Sequence, residues 1–159
     1  MKRLGNQNDG LDRVDQKILT ALVANARTTT ADLARTVGLS APSVAERVKR
    51  LEEAGAITGY RATVSPAAIG LPISAWLRIR PVPGQLAKVT EIIRSLPQIT
   101  ECDRVTGEDC FLARAHVSSV VDLERLIDKI IPFAMTNTSI IQSSPVAPRL
   151  PPLPEREVS

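Results

Sequence analysis

The chain has 159 residues, 43% apolar and 23% charged, ordinary values for a soluble globular protein of one domain or two small ones. The net charge of +3 lies wholly in residues 1–64, with ten Lys and Arg against seven Asp and Glu. Residues 65–159 balance at ten and ten, so only the first part is expected to meet phosphates. Cys102 and Cys110 are too few for a secreted disulfide scaffold and lack metal-ligand spacing. With no leader and no apolar run of about 18 residues, the expectation is a cytosolic protein without membrane span, metal or cofactor.

Residues 1–10 (MKRLGNQNDG) read as a disordered lead-in. Asp12 can then cap a helix whose apolar residues Val14, Ile18, Leu19 and Leu22 recur at helical spacing, ended by Asn25-Ala26-Arg27. Thr29 or Thr30 can cap a second, short helix with Leu33 and Val37 facing inward and Gly38 as its stop. Ser40 can cap a third, with Pro42 in its first turn, Val44, Val48 and Leu51 as its buried stripe, and Gly55 at its end. Two short helices joined through Gly38-Leu39-Ser40, the second with a basic edge, form a helix-turn-helix pattern.

Ile57–Val64 (ITGYRATV) is rich in β-branched residues and predicts a strand, which makes the first domain a winged helix-turn-helix over residues 11–64. Pro66, Gly70 and Pro72 punctuate the chain after it. Residues 65–144 then alternate. A strand from Ile73 sets Ala75, Leu77 and Ile79 on one face and Trp76, Arg78 and Arg80 on the other. Leu86, Val89, Ile93 and Leu96 mark a helix, and Ile99–Thr106 and Cys110–Val117 are strands joined at Gly107-Glu108-Asp109. Val120, Leu123, Ile127 and Ile130 mark a second helix, and Thr136–Ser143 is the last strand. The order βαββαβ is that of a ferredoxin-like α+β domain, with both helices on one face of the sheet. Residues 145–159 hold five of the twelve prolines and read as an extended tail.

On the third helix, Ser40, Ser43, Arg47 and Arg50 lie near one face, with Arg47 nearest the seam with the buried stripe. That arrangement suits a recognition helix: serines at base edges, Arg47 bidentate to guanine, Lys49 and Arg50 on phosphates, and Thr29 and Thr30 adding phosphate contacts. The competing reading pairs Arg47, Lys49 and Arg50 with Glu46, Glu52 and Glu53 on a solvated helix. Trp76, alone on the helix-free face, is expected at or near a subunit interface, or else packed within one subunit. His116 is the single histidine and is given no role.

Several stretches together resemble the Lrp/AsnC, or feast/famine, family of transcriptional regulators. They are LDRVDQKILTALVANAR with its paired Asp12 and Asp15, ADLARTVGLSAPSVAERVKRLEEAGAITGYRATVSPAAIG, and VTGEDCFLARAHV. The resemblance runs from about Leu11 to about Ser143. It implies a homodimer through the C-terminal domain, often assembled into octamers, and double-stranded DNA as a partner. It also implies an amino acid or related metabolite as effector, and control of amino-acid metabolism genes. By spacing alone, Thr106, Gly107, Glu108 and Asp109 are a hydrophilic hairpin tip; the resemblance makes them part of an effector pocket, and Thr136, Thr138 and Ser139 of the last strand either complete it or are solvent-facing strand residues. Many members carry an Asp where this chain has Cys110, so the anchor for an amino group is Asp109, Glu108 or neither. Two other classes stand beside the regulator: an architectural DNA-binding protein that senses nothing, and a ferredoxin-like enzyme. The last is disfavoured because no nucleophile–base pair can be assembled.

Overall fold

The computed structural model describes residues 11–149, 151 and 152; the lead-in expected over residues 1–10, and tail positions 150 and 153–159, lie outside them. Two compact units separate. The described residues up to Ala62, with those from Val146 onward, form the first, and Thr63–Pro145 form the second.

The first unit is built on helices α1 (Arg13–Ala24), α2 (Thr30–Val37) and α3 (Ala41–Glu53). Each starts on a side chain that accepts from an otherwise unpaired backbone N–H: Asp12 from Asp15, Thr29 from Asp32, Ser40 from Ser43. Gly38 ends α2 in the left-handed conformation, φ 73°, and the N–H groups of Gly38 and Leu39 both donate to the Ala34 carbonyl. Ile18, Leu19, Leu33, Ala34, Val44 and Leu51 are the core, with Val14, Leu22, Val37, Val48 and Ile57 packed around it.

The strand expected at Ile57–Val64 does not form, and with it the wing. A strand needs a ladder partner, and among the described residues no segment pairs with these, of which 58–64 are all exposed. Ile57 instead joins the helical core, and the Tyr60 hydroxyl donates to Glu52 Oε1 at 2.8 Å.

The second unit is a four-stranded antiparallel sheet of β1 (Ile73–Pro81), β2 (Ile99–Arg104), β3 (Phe111–Val117) and β4 (Ala134–Ile140). Helices α4 (Leu86–Ser95) and α5 (Val120–Asp128) complete it. Spatial order β2-β3-β1-β4 places both crossovers as the βαββαβ pattern requires. Ala75, Leu77 and Ile79 stand opposite Ala115, Ala113 and Phe111, and this face packs with Val89, Ile93, Leu123, Leu126 and Ile130 into one core. Trp76, Arg78, Leu112 and Arg114 point to the other face.

Two boundaries and one buried face differ from expectation. The β2–β3 connection is longer, spanning residues 105–110, and the Val105 N–H closes it on the Cys110 carbonyl at 3.0 Å. The last strand begins two residues early, at Ala134, paired with Pro81. Val120 is exposed, and Leu126 takes its place in the inward stripe of α5. Helical side chains tilt toward the N-terminus, so a first-turn residue points past the helix start.

Candidate DNA-binding and effector sites

The capping of α1 prepares the first site. Asp12 and Asp15 form a reciprocal box: the Asp15 N–H donates to Asp12 Oδ1 at 2.8 Å, and the Asp12 N–H to Asp15 Oδ2 at 3.2 Å. Both carboxylates then receive α3. Arg47 Nη1 donates to Asp12 Oδ2 at 2.6 Å and to Asp15 Oδ1 at 2.8 Å, and Arg50 Nη2 reaches both oxygens of Asp15, at 2.8 and 3.1 Å. Asp15 is fully buried, and four donor contacts occupy its two oxygens, which satisfies a charge that burial would otherwise penalise heavily. Burial opposes ionisation of Asp12, but the Asp15 N–H and the Arg47 guanidinium outweigh it and hold that carboxyl below its ordinary range. The same bonds to Asp12 and Asp15 raise Arg47.

These contacts separate the residues predicted to meet DNA. Arg47, expected to reach a guanine, is 25% exposed and turned onto α1, whereas Arg50 is 56% exposed. The competing pairing with acids of the same helix holds only for Lys49, whose Nζ lies 3.8 Å from Glu53 on an exposed face. Thr29 and Ser40 use their hydroxyls as helix caps, and the Ser43 hydroxyl lies 2.8 Å from that of Ser40. Thr30 is exposed, with no side-chain bond among the described residues. The role of the aspartates as anchors for α3 escaped sequence reasoning. The only signal for it was their place in the resemblance, since the partners lie 32 to 35 residues away.

The second site is a cleft of about 330 Å³ in the C-terminal unit. Glu108 and Asp109 border it from the β2–β3 connection, Arg78 and Arg80 from β1, and Met135, Thr136 and Asn137 from β4. Arg80 Nη2 donates to Glu108 Oε2 at 2.6 Å. Arg78 and Asp109 have no side-chain partner among the described residues. Of the seven predicted effector residues the structure brings Glu108, Asp109 and Thr136 to this cleft. Thr106 and Gly107 lie exposed outside its lining. Thr138 stands opposite Leu77 on the helix-covered side, and Ser139 stands opposite Trp76 on the other. Arg78, Arg80 and Asn137 were missed, although strand alternation had already put both arginines on the helix-free face. Trp76 is half-buried within its own subunit, the Arg114 guanidinium 5.6 Å from its ring centroid. A larger open groove, about 740 Å³, runs along α1 by Arg13, Lys17 and Ala21, and shares no residue with either predicted site. No helix among the described residues is long and apolar enough to cross a membrane.

Comparison with known proteins agrees with both units. Residues 11–52 match the AsnC-type helix-turn-helix domain and residues 74–151 the Lrp/AsnC ligand binding domain. The HTH-type transcriptional regulator LrpC of Bacillus subtilis is 33% identical over 133 residues, 84% of this chain and 92% of that protein. Its solved structure superposes with a TM-score of 0.81 at 32% identity, covering 85% of this chain and 96% of that one. A feast or famine regulatory protein from M. tuberculosis, solved in complex with L-methionine, gives a TM-score of 0.82 at 31% identity over 89% of this chain and 98% of its own. A capped three-helix unit, a βαββαβ unit and matches that span both establish that the chain belongs to the Lrp/AsnC family.

Proposed function

We propose that this chain is a sequence-specific DNA-binding transcriptional regulator whose assembly state or DNA affinity responds to an amino acid or related small metabolite. Residues 11–64 serve as the DNA-binding domain and 65–144 as the effector and assembly domain. The observation that carries the reading is the outer side of α3. Ser43, Lys49 and Arg50 are exposed there while Val44 and Leu51 are buried. A capped rod with one polar side and a basic edge, following a short capped helix, suits insertion into a major groove.

The ion pairs assign different tasks to the two arginines. Arg47 holds α3 on α1. Arg50, half-exposed and bonded only to Asp15, can exchange that carboxylate for a phosphate, while Arg47 keeps Asp15 compensated. Lys49 has a weak, solvent-screened partner and is equally available. Thr30 and the N-termini of α2 and α3 add backbone donors for phosphates.

The helix-free face of the sheet, with Trp76, Leu112 and Met135, is the surface for a second copy; further assembly to an octamer follows the family pattern. Paired recognition helices must match the spacing of DNA half-sites, so a ligand that alters subunit packing alters operator fit.

Anisotropy titrations of operator duplex at several salt concentrations test the DNA reading. Arg50→Ala and Lys49→Ala are each expected to weaken binding and to lower the salt slope by about one. Arg47→Ala is expected to lower thermal stability instead. A protein that binds no duplex at low salt, or binds unrelated duplexes equally, would remove the regulator reading; the second outcome would favour an architectural role.

A further inference from the structure

We infer that the open groove along α1 is a docking site for this chain's own tail, with Glu157 and Glu155 on Arg13 and Lys17 and Leu153 on the apolar floor beyond them. Residues 153–159 of that tail lie outside the described ones.

The groove, about 740 Å³, is basic toward the start of α1 and apolar toward its end. Arg13 and Lys17, one turn apart on the exposed side of the helix, have no side-chain partner among the described residues. Thr20, Ala21 and Ala24 follow them, with Thr36 of α2. Both threonines use their hydroxyls on their own helices: Thr20 donates to the Gln16 carbonyl at 2.8 Å and Thr36 to the Asp32 carbonyl at 2.9 Å. What they leave to the groove is methyl surface, beside that of two alanines. A matching occupant carries two acidic groups and, one step further on, an apolar one.

Charge selects between the chain's two outer segments. Residues 1–10 bring Lys2 and Arg3 against Asp9, the wrong sign, whereas residues 153–159 (LPEREVS) bring Glu155 and Glu157 against Arg156. The described tail residues from Val146 onward follow the last strand of the sheet, yet they cluster with the helical unit that holds the groove. They are exposed, so the contact falls to the residues after Pro152. Pro151, Pro152 and Pro154 fix their own φ, and Pro154 biases Leu153 toward extended backbone. Along an extended chain Leu153, Glu155 and Glu157 share one side, about 6.6 Å apart, and Arg156 turns to the other. On α1, Arg13, Lys17 and Ala21 recur every four residues, about 6 Å apart along the axis. Three tail groups thus fall in register with three groove positions when the tail runs antiparallel to the helix. Exposed ion pairs are individually weak. The tether compensates, holding the segment at roughly millimolar effective concentration, and the prolines leave it little freedom to lose.

The test uses a labelled peptide, Leu150–Ser159, and the chain truncated after Pro152, which keeps both cores, since they lie between Leu11 and Ala134. Anisotropy titration at low salt should show saturable binding that weakens as salt rises. Glu155→Lys with Glu157→Lys in the peptide, or Arg13→Glu with Lys17→Glu in the protein, should each weaken it at least about fivefold, and the two reversals together should restore it. The full-length protein should take the peptide at least about threefold more weakly, because its own tail competes. Sedimentation should give the same assembly with and without residues 153–159. Absence of saturable binding would overturn the inference, as would charge reversals without effect. Equal binding to the full-length and truncated chains would show a groove open to an acidic segment of another protein, and an assembly lost on truncation would show the tail bridging two copies. Either result would overturn it as well.

Discussion

Asp15 is the residue on which the DNA-binding unit turns. Its carboxylate has no exposure, and it closes the capping box of α1 while receiving two guanidinium groups from α3. Asp15→Ala should therefore cost on the order of 1–3 kcal/mol in denaturant unfolding, because Arg47 keeps only Asp12 and the Asp12 N–H loses its acceptor. An unchanged midpoint would show that the network is decorative. Half of this arrangement is legible in the sequence: Asp12 stands at capping distance from an amphipathic run, and local spacing finds it. The other half is not, since only folding decides which of many acids an arginine 32 residues away will meet. His116 shows the same limit. Burial, and then Arg114, hold its imidazole below the ordinary 6.5, and its Nδ1 lies 2.8 Å from the Ser74 hydroxyl. The folded state thus favours neutral imidazole. The second unit should keep its full stability above about pH 6.5 and lose it as pH falls, while the unfolded chain takes up the proton. Asp122, held low by the hydroxyls of Ser118 and Ser119 and by Arg125, adds a further loss only below about pH 3.8. Melting temperatures measured across this range should show the upper phase vanish in His116→Asn and the lower one persist.

Helix caps and strand alternation, whose cause is local, were legible in the sequence, whereas features that wait on a distant partner were not. All three caps of the helical unit, the alternation on β1 and the two crossover helices follow from spacing within a dozen residues. Ile57–Val64 has strand composition but pairs with no segment among the described residues of its own chain, so composition alone misleads. The candidate cleft shows the same limit: Glu108, Asp109 and Thr136 border it, whereas alternation along β4 sets Thr138 and Ser139 on opposite sides of the sheet and outside that lining. Arg78 and Arg80 needed the β1–β4 register before their relation to the loop could be seen. Among the turns, Gly38 permits a clean test. At φ 73° with no atom within 4 Å of a built Cβ, substitution meets backbone strain and no clash. Gly38→Ala should lower the stability of the helical unit by about 1–2 kcal/mol, read as a shifted denaturation midpoint with α2 still formed by amide exchange. A neutral result would mean that the turn between α2 and α3 relaxes freely.

Across the whole molecule, two units each carry their own core, and in the proposed reading one presents a helix to nucleic acid and the other a sheet face to a second copy and a metabolite site. The cost of holding α3 firmly falls on what that helix can read. With Arg47 committed to α1 and the Ser40 oxygen serving as a cap, the groove-entering tip carries Ala41, Pro42, Ser43 and Ala45. These side chains are too short to distinguish many bases through bidentate bonds. Target sites should consequently be recognised more by groove width and ease of bending than by a run of fixed letters. Selection from random duplexes should return sites alike in flexible steps and half-site spacing; a long invariant consensus beneath each helix would contradict this. A regulator of that kind can drift among promoters as their mechanics change, with its own fold untouched.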